Sequence, residues 1–135
     1  MAHWIALYGR FRGSIVAQLP YLNAFYFLEI IYLMVSLNIL YGNRIALAVA
    51  MALSLTVAVQ MGLLFFRHPM SRYVQLGLME LHAAYSLPLC FNLATGAFEY
   101  HALDAGLIVA RFFVACLEIV GIVALTDDAV RAEFE

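Results

Sequence analysis

A helix needs about 20 apolar residues to cross about 30 Å of hydrocarbon, and four stretches of this 135-residue chain are that long. They cover residues 21–41 (YLNAFYFLEIIYLMVSLNILY), 45–66, 72–95 and 102–125. The links are short: Gly42-Asn43-Arg44, then Arg67-His68-Pro69-Met70-Ser71, then Gly96 to His101. Gly and Pro fall where helix stops are expected. Links of this length make neighbouring helices antiparallel. None of the stretches shows the ten-residue alternation of an outer-membrane strand. The expected fold is all-α: a polytopic integral membrane protein built as a four-transmembrane-helix up-down bundle with a short interfacial N-terminal helix. The expected divisions are an amphipathic interfacial segment at 1–19, a four-helix transmembrane domain at 20–125 and an acidic cytoplasmic tail at 126–135.

Composition supports a lipid environment. Charged residues make up 12% of the chain, against about 25% in ordinary soluble domains. The seven basic residues are all Arg, so there is no basic stripe to neutralise phosphates and a nucleic-acid partner is excluded. Two Cys cannot frame a secreted disulfide scaffold.

Orientation follows from the Arg residues. A cytoplasmic N-terminus puts Arg10, Arg12, Arg67, Arg72 and Arg131 inside and only Arg44 outside, with Glu99, His101 and Asp104 also outside. Both termini are then cytoplasmic. An Arg-only, Ala- and Val-rich composition is typical of GC-rich coding and suggests a bacterial inner membrane. Before the first span, Trp4, Tyr8, Phe11 and Ile15 recur at helical spacing, as in a helix lying in the membrane interface. Gly9 and Gly13 weaken that helix, and a disordered lead-in is the alternative.

Charged groups in hydrocarbon cost at least about 2.5–3.5 kcal/mol each on insertion scales, yet several lie within these stretches. At the helical rise, Glu29 and Glu80 each lie about 12 Å from the inner edge, Glu118 about 10 Å and Gln60 about 9 Å. The expectation is an intramembrane polar layer of Glu29, Gln60, Glu80 and Glu118, one from each span. Gly77 and Ala84 flank Glu80 and would let another backbone come close. Three carboxylates in a dry layer cannot all be ionised without cations, so some stay protonated or a positive group joins them. Arg111 is the cation at that depth, two turns from Glu118 and too far for pairing along one helix.

Span three carries a second polar face. Glu80 and His82 point about 200° apart, and Gln75, His82 and Ser86 share the side away from Glu80. If Glu80 faces the bundle, then His82, Arg111 and Gln75 are candidate contacts for a partner or cofactor. A span three kinked at Pro88, with both faces buried inside the bundle, is the alternative.

A di-metal bundle needs Glu-x-x-His pairs on two helices. Glu80-x-His82 is out of phase, so no metal site is expected. Haem held by two His lacks a second His at depth. Single ligation of haem or chlorophyll at His82 stays open beside a structural role. Lipid is the expected bound cofactor. Cys90 and Cys116 lie at different depths and cannot form a disulfide. No nucleophilic triad, phosphate loop or nucleotide fingerprint is present, so no catalytic residue is assigned and an enzyme is disfavoured.

The expected function is a small non-catalytic, accessory or structural subunit of a larger integral membrane complex, packed through its intramembrane polar residues. The alternative is an oligomeric proton- or cation-coupled small transporter that uses the glutamate cluster. Expected partners are membrane lipids and other integral membrane subunits, or further copies of the chain.

Overall fold

In a computed structural model of the chain, the described residues are 1–36, 42, 44–96 and 102–134. All elements among them are helical. The long helices are α1 (Ala2–Ser36), α2 (Arg44–Phe65), α3 (Pro69–Thr95) and α4 (Ala102–Thr126). A one-turn helix α5 (Asp128–Arg131) and a short 3-10 helix (Ala132–Phe134) follow. Three helices, α1, α2 and α4, are long and apolar enough to cross a membrane. Helix α3 is also long, at 27 residues, but Arg72, Gln75, Glu80, His82, Ser86 and Asn92 dilute its apolar content. The end of the first expected span (37–41), Asn43, Glu99 and His101 lie outside the described residues.

The chain divides into two compact units: Met1–Ser71 with Phe134–Glu135, and Arg72–Glu133. In the first unit α1 packs along α2. The buried residues of α1, Ile15, Val16, Leu19, Asn23 and Tyr26, recur every three or four positions, the period of one helix face. On α2 the buried set is Ala50, Val57, Gln60 and Leu64, again one stripe.

The expected interfacial segment at 1–19 and the first expected span lie on one continuous helix of 35 residues. Pro20 sits inside it. A proline there removes the hydrogen bond to the Val16 carbonyl and allows a bend, but the remaining hydrogen bonds carry the helix through. The two glycines lower helix propensity by about 1 kcal/mol each without ending it.

The α2–α3 link is tighter than the five residues expected. Arg67 adopts a left-handed conformation (φ 52°). The His68 amide donates to the Leu63 carbonyl at 2.9 Å and the Arg67 amide to Leu64 at 3.1 Å. That hydrogen-bond pair is a Schellman ending, here with Arg in the position that glycine usually fills. His68 then caps α3: its Nδ1 accepts from the Met70 amide at 3.1 Å, and Pro69 occupies the first helical position, where its missing N–H costs nothing. At the other end of α3, Gly96 takes φ +66°, so the expected glycine stop is present. After α4, Asp127 accepts from the Ala129 amide at 3.0 Å and starts α5.

Candidate functional site

Within the second unit, side chains join α3 to α4 in sequence. Near one end, Arg72 Nε donates to the Leu125 carbonyl at 2.6 Å. It thereby satisfies one of the carbonyls that the end of α4 leaves open. Further along, His82 Nδ1 meets Glu118 Oε1 at 2.5 Å. Further still, the Cys90 thiol donates to the Ile108 carbonyl at 3.5 Å. Numbers rise on α3 from 72 through 82 to 90 and fall on α4 from 125 through 118 to 108. The two helices are therefore antiparallel and in register over most of their length.

The middle contact has the most chemistry. The Glu118 side chain is 0% exposed and that of His82 is 9% exposed. If the carboxylate is ionised, Nδ1 must carry the proton that joins them, because a carboxylate oxygen only accepts. The Ser86 hydroxyl, one turn from His82, lies 3.4 Å from Nε2 and is itself buried. The arrangement holds a proton between an imidazole and a carboxylate. It presents no nucleophile, and among the described residues no three His, Cys, Asp or Glu groups gather to hold a metal ion. A haem or chlorophyll would have to approach Nε2, in the place where the Ser86 hydroxyl sits.

Arg111 is buried, 5% exposed, and its guanidinium lies over the Tyr85 ring at 5.7 Å. That contact gives the buried cation a partner on α3. In the first unit, Gln60 is fully buried and its Nε2 donates to the Ser71 carbonyl at 2.8 Å. The Gln60 side chain thus fastens α2 to the first turn of α3, where Ser71 Oγ also donates to the His68 carbonyl at 2.7 Å. Glu29 is half-buried on α1. Asn23, fully buried, donates to the Leu19 carbonyl one turn back at 2.8 Å.

The structure reverses the two polar faces of α3. Glu80, expected inside with Glu118, is exposed. His82 and Gln75, expected as outward contacts, are turned in, Gln75 with no exposed surface; Arg111 is buried as well. Helical spacing separates the faces correctly and does not say which one α4 covers. Glu118 decides it: a second carboxylate opposite Glu118 would repel it, whereas an imidazole donates to it. Glu80 is accordingly removed from the expected layer.

Four contact residues escaped the reading from sequence: Arg72, Tyr85, Ser71 and Asn23. Tyr85 had a usable signal. It lies about 20 Å along α3 from Arg72, and Arg111 lies about 21 Å along α4 from Leu125, so matching depth alone would have paired them. Asn23 had none beyond being an amide in an apolar run.

No family model, curated protein or solved structure matches the chain.

Proposed function

We propose that this chain is a small integral membrane subunit of a larger assembly, crossing the bilayer four times. Three helices have the length and apolar content to cross. The fourth crossing is argued from its neighbour. Helix α3 is tied to α4 by Arg72–Leu125, His82–Glu118 and Cys90–Ile108, so when α4 is inserted α3 lies at the same depths. Its polar residues are then those of a helix that depends on protein surroundings.

Glu80 carries the subunit reading. With the Gln75, His82 and Ser86 side of α3 buried, the opposite side leaves a carboxylate exposed about 16 Å from the start of the helix. In hydrocarbon such a group is costly by several kcal/mol unless protein covers it. A second chain on that side removes the cost. The interior contacts, Gln60–Ser71 and His82–Glu118, then serve as polar fastenings, each worth about 0.6–1.7 kcal/mol in a bilayer. A partner needs no catalytic group from this chain, which fits an accessory role.

The experiment is native mass spectrometry after extraction in a mild detergent. The expected result is a species containing this chain and at least one other. A lone 15.1 kDa chain under conditions that keep other membrane complexes intact would overturn the reading.

The His82–Glu118 pair favours a second reading, an oligomeric proton-coupled transporter in which that pair, with Glu29 and Glu80, carries the proton. Its test is pH-driven flux in liposomes, lost in Glu118→Gln and His82→Gln while the helical content holds.

A further inference from the structure

Helix α1 runs well past the end of its neighbour. Asn23, Ala24, Phe27 and Leu28 line a groove with Val57, Ala58 and Met61 of α2. The seven residues between the two helices are too few to lead back along α2, so the pair is antiparallel. The groove is centred near residue 26 of α1 and residue 59 of α2. Six residues on from there α2 ends at Phe65, and six residues back along α1 lies Pro20. Helix α2 has 22 residues, about 33 Å, which by itself matches the hydrocarbon thickness of about 30 Å. When α2 crosses a bilayer, residues 2–19 of α1 therefore stand beyond its end, outside the hydrocarbon. The bend that a proline permits falls at that same level.

One face of α1 carries on through this stretch. Ile15, Val16 and Leu19 are buried. Trp4, Ile5 and Tyr8 precede them by 11 positions each, which is three turns and about 20° of rotation, so the two triplets point the same way. The outer triplet is largely uncovered: Trp4 is 72% exposed and Ile5 67%, with Tyr8 half-buried. Arg12, half-buried, lies within this face. His3, Arg10 and Ser14 occupy the opposite side of the helix. No Asp or Glu occurs before Glu29. A helix with an apolar face, a basic far side and no acid suits the boundary between acyl chains and phosphates, where Trp is enriched.

We infer that residues 2–19 form a lipid-binding arm. The chain turns at Pro20, rests on the protein through Ile15, Val16 and Leu19, and seats Trp4 and Ile5 among the upper acyl chains of the leaflet where α2 ends, with Arg10 on lipid phosphate. This rests on the membrane-crossing part of the reading above and needs nothing from a partner subunit. The arm sets how deep α1 sits, because Trp4 and Arg10 hold it at one level of that leaflet.

Trp4 is the single tryptophan, so its fluorescence reports this site alone. The test reconstitutes the full chain in bilayers of phosphatidylcholine and phosphatidylglycerol. Trp4 is quenched in turn by lipids brominated close to the headgroup, by lipids brominated near the chain ends, and by aqueous iodide. The expected result is quenching by the shallow bromines at least about twofold stronger than by the deep ones, with little from iodide. Arg10→Glu is expected to raise iodide access to Trp4 about twofold while the helical content holds. Strongest quenching by the deep bromines would mean that the segment crosses the bilayer, and strongest quenching by iodide that it stands in water; either overturns the arm. So does protection from all three, which would mean that another copy or another protein covers the face. An Arg10→Glu chain with unchanged quenching overturns the phosphate contact. In each of these cases a chain that stays in the membrane through alkaline carbonate extraction leaves the subunit reading standing; a chain released by carbonate removes both.

Discussion

The His82 imidazole and the Glu118 carboxylate, 36 positions apart in the chain, meet at 2.5 Å between antiparallel helices. Neither could be left inside an apolar hairpin without the other. We expect a double-mutant cycle of His82→Leu and Glu118→Leu, followed by unfolding in SDS titration, to give a coupling of about 1–2 kcal/mol. Each single change should cost more than the pair of changes together, because it strands a buried polar group. Additive single effects would show that the two groups do not interact.

Gln60 fastens α2 to the first turn of α3 through the Ser71 carbonyl. Gln60→Leu keeps the volume and loses the donor, at an expected cost of about 1 kcal/mol in the same titration. Gln60→Asn, one methylene shorter, should cost as much, since its amide no longer reaches. A cost confined to Leu would point to polarity alone and against this contact.

Arg67 holds a left-handed backbone (φ 52°), which costs a residue with a side chain about 1–2 kcal/mol. Arg67→Gly relieves that cost and gains unfolded-chain freedom in exchange. The expected net gain in stability is about 0.5–1 kcal/mol, read as a higher SDS midpoint. Arg67→Val, β-branched, should lower the midpoint.

Arg111 lies over Tyr85. A cycle of Tyr85→Leu with Arg111→Lys is expected to show coupling of about 0.5–1 kcal/mol, because Lys keeps the charge and loses the flat face that stacks. Zero coupling would mean the ring is a bystander.

The two free cysteines stand on different rungs. Cys90 is level with Ile108, and Cys116 lies about 12 Å further along α4, beyond the 7 Å that a disulfide spans between Cα atoms. Oxidation with copper phenanthroline should leave the monomer without an internal bridge, checked by intact mass before and after reduction. A loss of two hydrogens in the monomer would contradict the register of α3 and α4.

Much of this is legible in the sequence, because the solvent does the selecting. Long apolar runs with short links give helices and the antiparallel sense of α3 and α4, and proline and glycine mark the ends of α3. The period of 3.6 also separates Glu80 from His82. It cannot say which of them meets α4, since that depends on Glu118 in another helix. For the expected layer, likewise, equal depth along four axes carries no information about rotation around them. In α1 one helix runs through the expected boundary near residue 20. Gly9, Gly13 and Pro20 each weaken a helix by an amount that 35 residues of otherwise continuous hydrogen bonding can absorb.

The length of α1 has a consequence for any bilayer that holds it. At 1.5 Å per residue its 35 residues reach about 52 Å, against a hydrocarbon slab of about 30 Å. Tilting alone would need about 55°, outside the usual range of transmembrane helices. Roughly a dozen residues must therefore emerge as a rod. The arginines at 10 and 12 mark the end suited to water and headgroups, and Pro20 supplies the joint at which that rod can change direction.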